Sequence, residues 1–287
     1  MALGFEEVRV GHWTDPVART GCTVLIFPDG TVASAEVRGG APASRELELL
    51  APERTVDRID AAVLTGGSAF GLASADGVMR FCAEQGRGVA TPAGPVPIVP
   101  TLGLYDLMIG DASVRPGPDQ GYAAAASATP DGETDGLIGA GAGATVAKIT
   151  GTPRPGGLRS AVLTSGDLVV AALCAVNAFG SIDHDGTVLE RDLEQSAAAI
   201  RVAASFLEQA QNTTIGVVIT NARLDKLGCL AAAQGAHDGL ARAIAPPHTS
   251  GDGDAFIAAA TGRVDAPVDL VRLLAVAAVE RAIRTAP

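Results

Sequence analysis

The order in which two hydrophobic periods appear along the chain constrains its fold most. Short runs rich in Val, Ile and Thr, bounded by Gly, Pro or Asp, read as strands over Cys22–Phe27, Val32–Arg38, Ala61–Thr65, Ser160–Leu163, Val169–Val176 and Ile215–Thr220. Helical periods are read over Ala43–Leu50, Gly71–Gln85, Leu189–Gln211, Lys226–Ile244 and Val268–Arg284. In the third of these, Leu193, Ala197, Ile200, Ala204 and Leu207 fall on one face with charges opposite. Strands come in runs and helices gather toward the C-terminus, which suits an α+β layered fold better than strict βαβ alternation. The Pro-rich stretch TPAGPVPIVPT (Thr91 to Thr101) reads as an extended loop or edge segment rather than a linker, so residues 1–287 are expected to form one domain. With 47% hydrophobic residues but only 3% aromatics, and Ala and Gly abundant, the core is expected to consist of small side chains and closely approaching backbones.

Charge and targeting signals narrow the function classes. A net charge of −11 without any basic run argues against nucleic acid and against an anionic membrane surface, since both need clustered Lys and Arg. The start, MALGFEEVRVGHW, has no charged n-region followed by an apolar h-region, and the most apolar run, Leu168 to Ile182, is too short to span a bilayer. A soluble, cytoplasmic protein is expected. Cys22, Cys82, Cys174 and Cys229 form no CxxC pair and read as reduced, buried thiols. His12, His184, His237 and His248 are scattered, and Asp183-His184-Asp185 reads as a turn, so neither a metal nor another cofactor is expected.

Glycine clusters invite a nucleotide reading, which their spacing does not support. Gly136 to Thr145 (GLIGAGAGAT) lacks a convincing helix behind it, and TGGSAFG (Thr65 to Gly71) has the wrong spacing for a dinucleotide fingerprint. Open N–H groups at such turns suit a carboxylate or an oxyanion instead. Ser68 in GGSAFG does not meet the G-x-S-x-G pattern of a nucleophile elbow, and nothing in the sequence places a histidine beside it.

Asn212-Thr213-Thr214 sits where a helical pattern hands over to a buried strand. It matches a glycosylation sequon, which carries no weight without secretion. The chemically sharper reading is self-cleavage. A threonine hydroxyl attacks the preceding carbonyl, and the new N-terminal threonine then carries its own base, an α-amine with an unperturbed pKa of about 8. Such a centre needs groups that orient the amine, and Asp252 and Asp254 in HTSGDGDAFIAAATG are candidates; that loop lacks the spacing of a calcium-binding hand. Lys148 in ATVAKITG and Asn177 in LCAVNAFG are polar residues in apolar surroundings, where a partner is required and function is one explanation.

Taken together, VGHWTD, TGCTV, VRGGAP, LTGGSAFGL, PVPIVP, GAGAGATVAKITG, CAVNAFG, NTTIGVV and DGDAFIAAATG run almost end to end, and the sequence resembles the DmpA-like N-terminal-nucleophile hydrolases. That family includes L-aminopeptidase/D-Ala-esterases, β-aminopeptidases and nylon-oligomer (6-aminohexanoate-oligomer) endohydrolases. In motif detail the chain is most similar to the last. The resemblance implies an α-β-β-α sandwich, an inactive precursor, and cleavage between Asn212 and Thr213 into chains 1–212 and 213–287. It implies a homotetramer of cleaved units acting on short peptides or linear oligoamides. It also implies Thr213 as nucleophile, Asn177 as oxyanion contributor with Lys148 nearby, and Asp252 and Asp254, 39 and 41 residues after Thr213, as the two acids. Aligned instead to the aminopeptidase branch, the nucleophile would be Thr214.

Overall fold

In the computed structural model, residues 1–187, 193–203 and 212–287 are described here. The strands are β1 (Arg9–Asp15), β2 (Thr20–Ile26), β3 (Val32–Val37), β4 (Ala43–Arg45), β5 (Ala61–Thr65), β6 (Thr101–Gly103), β7 (Thr145–Val146), β8 (Arg154–Pro155), β9 (Leu158–Ser165), β10 (Leu168–Ala175), β11 (Ser181–Ile182), β12 (Ile215–Ala222), β13 (Ile244–Ala245) and β14 (Ala255–Val264). The helices are α1 (Ser68–Gly71), α2 (Ser74–Glu84), α3 (Pro118–Ala126), α4 (Leu193–Ala203), α5 (Lys226–Ala243) and α6 (Val268–Arg284). Among the described residues these strands build two principal sheets, ordered β1-β2-β5-β6-β4 and β3-β14-β12-β10-β9. The pairs β5–β6 and β12–β14 are parallel and the other neighbours antiparallel.

Alternation along the strands sorts side chains into three apolar layers. Leu25, Leu64 and Leu102 of the first sheet meet Leu173, Val217 and Ile257 of the second in a shared core. The opposite face of the second sheet (Val170, Cys174, Val218, Phe256) packs on α5 and α6. The outer face of the first (Cys22, Val24, Val63) packs on α2 and α3. The order is therefore helices, sheet, sheet, helices, the α-β-β-α sandwich within the expected α+β class. All four cysteines are free and buried. No described helix is long and apolar enough to cross a membrane.

Several elements differ from the sequence reading, among them β1, which no strand candidate covered. The segment expected as a helix over Ala43–Leu50 is the short edge strand β4, followed by a 3₁₀ turn over Glu48–Leu50. β4 pairs with β6, and Glu46 lies at φ 63, a left-handed value that interrupts a right-handed helix. β14 lies where only a polar loop was expected: AFIAAATGRV is buried over its first six residues, so no polar alternation marks it. α3, unpredicted, begins with Pro118 in its first turn. Of the long helix expected over 189–211, residues 193–203 form α4, and Ala204 and Leu207 lie outside the described residues. Leu193 and Ile200, expected on the face opposite the charges, are exposed, and α4 lies against the Lys148–Thr150 turn.

The low aromatic content is repaid in backbone proximity between α2 and α3. A Cβ at Gly77 would lie 1.7 Å from the Pro118 carbonyl oxygen, and one at Gly121 would lie 1.9 Å from that of Ser74. No rotamer relieves a contact with backbone, so the helices must separate to admit a methyl group. Gly121→Ala is expected to lower stability by about 2 kcal/mol or more. An unchanged urea unfolding midpoint would show that the two helices have room to move apart.

Candidate active site

The parallel pairing of β12 with β14 matches Ile215 to Ala255 and continues in register beyond the strand ends, where Asn212 bridges Asp252. This register brings the Asn-Thr-Thr junction and the GDGD loop together, although about forty residues separate them in sequence. The chain is continuous here. Asn212 N–H donates to the Gly251 carbonyl at 2.9 Å, and the Asn212 carbonyl accepts from Gly253 N–H at 2.8 Å. The Thr213 hydroxyl lies against that same carbonyl, and Gly253 N–H also reaches Thr213 Oγ1 at 3.2 Å. Gly253 is required to be small: a Cβ there would sit 2.8 Å from Thr213 Oγ1 and 2.6 Å from the Ala41 oxygen. Thr213 is only 3% exposed.

Thr213 N–H donates to the Asn177 carbonyl at 2.9 Å, so in the continuous chain Asn177, not a carboxylate, holds the nitrogen of the junction. Lys148 Nζ donates to the same Asn177 oxygen at 3.1 Å, to Asn177 Oδ1 at 3.0 Å, and to the carbonyls of Thr145 (2.7 Å) and Ala178 (3.2 Å). Asn177 Oδ1 also accepts from Thr145 N–H at 2.9 Å. With its oxygen thus occupied, the Asn177 amide nitrogen is turned to the Tyr105 carbonyl at 3.0 Å, and its bond is not to the Asn212 carbonyl. The donor on that carbonyl is Gly253 N–H, which sequence reasoning did not name because a backbone group leaves no residue-type signal.

The two acids hold loops rather than the Thr213 nitrogen. Asp252 accepts from Phe179 N–H (3.3 Å), Thr249 N–H (3.0 Å) and the Thr249 hydroxyl. Asp254 accepts from Thr214 N–H at 2.7 Å on one oxygen, and from His248 N–H (3.2 Å) and Nδ1 (2.9 Å) on the other. Thr249 and His248 were also missed; their adjacency to GDGD in HTSGDGD was the available signal. The histidines bond groups other than Ser68: His12 the Thr23 hydroxyl and Glu133 carbonyl, His237 the Glu36 carbonyl and His248 the Asp254 carboxylate. The TGGSAFG turn is instead tied down by the buried Asp106, which accepts from Gly67 N–H (2.7 Å) and the Thr20 hydroxyl (2.8 Å). Asp183 caps the DHDG turn through the Gly186 and Thr187 amides. Among the described residues no group of three metal-ligating side chains converges.

Burial dominates the electrostatics of the cluster. It pushes the Lys148 ammonium down to about 7, against the opposing pull of the Asp252 and Asp254 carboxylates. Burial, and then the neighbouring Asp254 charge, push the Asp252 carboxyl up to about 6, against the Thr249 and Phe179 hydrogen bonds. The folded chain therefore binds the Asp252 proton more tightly than the unfolded chain does. As pH rises from about 4 to about 6 this group reduces stability, and above that window its contribution is constant. Asp252→Asn removes the titration. The difference in melting temperature, wild type minus variant, is expected to fall between pH 4 and pH 6 and then level off. A difference that rises over this window would reverse the assignment.

The chain matches Peptidase family S58 over residues 5–286. It is 42% identical to the "Uncharacterized aminopeptidase Rv1333" of Mycobacterium tuberculosis over 283 residues, 91% of this chain and 81% of that one. It is 29% identical to a "6-aminohexanoate-oligomer endohydrolase" of Agromyces sp. over 280 residues, 93% of this chain and 76% of that one. In fold it is similar to a Burkholderia sp. β-aminopeptidase, with TM-score 0.71 at 22% identity over 97% of this chain and 83% of the other. The L-aminopeptidase D-Ala-esterase/amidase of Ochrobactrum anthropi, described as a variant of the Ntn hydrolase fold, gives 0.73 at 17% identity over 99% and 84%. A match along nearly its whole length makes this chain an amide hydrolase that belongs to Peptidase family S58.

Proposed function

We propose that the chain is a precursor that cuts itself between Asn212 and Thr213, and that the freed Thr213 then hydrolyses amides. The observation that carries this reading is the placement of Gly253 N–H, which reaches both the Asn212 carbonyl oxygen and Thr213 Oγ1. In the first step Oγ1 bonds to the Asn212 carbonyl carbon, the carbon–nitrogen bond breaks, and the nitrogen takes up the hydroxyl proton. Gly253 N–H stabilises the oxygen on which negative charge develops. Water then hydrolyses the ester, leaving a carboxylate on Asn212 and an α-amine on Thr213.

That amine inherits the Asn177 carbonyl as its acceptor and shares it with Lys148. When Lys148 is protonated its charge disfavours a second positive charge on the amine, which favours the amine as general base for the hydroxyl beside it. Turnover repeats the chemistry on a substrate carbonyl through an acyl-enzyme on Thr213. Asn177 and Lys148 support the amine; Asp252 and Asp254 fix the loop that carries Gly253 N–H. Cleaved units assembled as a homo-oligomer in the cytoplasm belong to the same reading.

For substrate, short peptides and aminoacyl amides are favoured over nylon-type oligoamides, because the relatives named as aminopeptidases are 42% identical and those named as oligomer endohydrolases 29%. Rates on aminoacyl p-nitroanilides, β-peptides and aminohexanoate oligomers rank these alternatives directly.

Intact mass of purified protein is expected to show two species that sum to the precursor plus one water. Thr213→Ala is expected to remain one folded, inactive chain, while Thr214→Ala still splits; the opposite pattern moves the nucleophile to Thr214. Gly253→Ala, whose methyl group displaces Thr213 Oγ1, is expected to slow splitting ~100-fold, the scale of a misplacement of about 1 Å. Splitting at the wild-type rate would remove Gly253 from the mechanism.

A further inference from the structure

We propose that His248 is a positioning residue for the nucleophile, acting through the Asp254 carboxylate; this rests on the reading of Thr213 as that nucleophile. His248 donates twice to one Asp254 oxygen, from its backbone N–H at 3.2 Å and from Nδ1 at 2.9 Å. The carboxylate can only accept, so Nδ1 carries the hydrogen. Asp254 is thereby turned so that its other oxygen receives Thr214 N–H at 2.7 Å, the peptide nitrogen immediately following Thr213. The path from imidazole to nucleophile is two hydrogen bonds and one residue of backbone.

Two further observations mark the imidazole as held for this purpose. His248 has φ 50, in the left-handed region, which is uncommon for residues other than glycine although His, like Asn and Asp, enters it more readily than most. This conformation aims the backbone N–H and the ring at the same Asp254 oxygen. The ring is also built in: it stacks edge-on against His237 with centroids 5.0 Å apart, and His237 stacks in turn on Phe256 of β14 at 5.1 Å. His237 is fully buried, and burial drives its imidazole down to about 4, so it remains neutral packing against His248. Both rings leave one buried nitrogen without a hydrogen-bond partner among the described residues. An arrangement selected for stability alone has no use for two such groups.

Substituting Asn and Asp at position 248 separates this role from a packing role. Both have nearly the same shape, tolerate the left-handed backbone and keep the backbone N–H, but only the Asn side chain can donate to Asp254. His248→Asn is expected to split, and to hydrolyse alanyl p-nitroanilide, within about five-fold of wild type. His248→Asp is expected to lose about 100-fold in splitting rate and in kcat, the ratio for losing a hydrogen bond to a charged group. KM is expected to change less than about three-fold, because the change acts on the nucleophile and not on substrate contacts. Equal rates for the two variants, or a loss confined to KM, would overturn the proposal. Thr213→Ala measured in parallel tests the underlying reading separately: if that variant splits normally the nucleophile is misassigned, whatever position 248 shows.

Discussion

One parallel strand pairing organises this molecule. β12 and β14 run side by side with Ile215 opposite Ala255, and the same register carries back through Thr214 and Asp254 to Asn212 and Asp252. Ladder hydrogen bonds fix such pairing to a single residue, because a slip by one would turn Phe256 and Val218 from the helix face of the sheet to the inter-sheet core. The apolar packing of two layers therefore enforces the juxtaposition of a threonine hydroxyl, an amide carbonyl and a backbone N–H. Burial supplies the rest. It lowers the affinity of Lys148 for its proton and raises that of Asp252.

The sequence made some parts of this plain and hid others for identifiable reasons. β5 and α6 fall where their patterns predict: β5 is a short apolar run closed by the Thr65-Gly66-Gly67 turn, and α6 follows Pro267 with one face buried. The side chains that gather round the Thr213 junction were legible as candidates because Lys148, Asn177, Asp252 and Asp254 are polar residues in apolar or glycine-rich surroundings. Their detailed bonding was not. The oxygen contacts expected of Asn177 fall partly to Gly253, whose contribution is a peptide N–H that any residue but proline possesses. The first six residues of β14 are buried on both faces, so the strand that carries the register showed no alternation and passed for the tail of a loop.

The histidines illustrate the same limit from the other side. Scattered in sequence at 237 and 248, they meet as a stacked pair beneath Asp254, and only the crossover through α5 brings them there. Chemistry that depends on a single hydroxyl and its own amine has no need of histidine as a proton carrier. In the proposed arrangement the imidazole serves through direction, as a rigid donor on a carboxylate.

The register has a consequence for how chains of this kind can diverge. Because ladder pairing, not sequence distance, sets Thr213 against the Asp252–Asp254 loop, the site does not sense how many residues join β12 to α5. Residues can be gained or lost between β12 and α5 at little cost to the junction, provided both strand ends keep their partners, whereas the segment after α5 carries His248 and Thr249, which bond the two acids. Within the seven residues from Asn212 to Val218, and the seven opposite from Asp252 to Ala258, a single insertion would uncouple hydroxyl from acid. Tolerance to insertion should therefore change abruptly at the ends of these two strands.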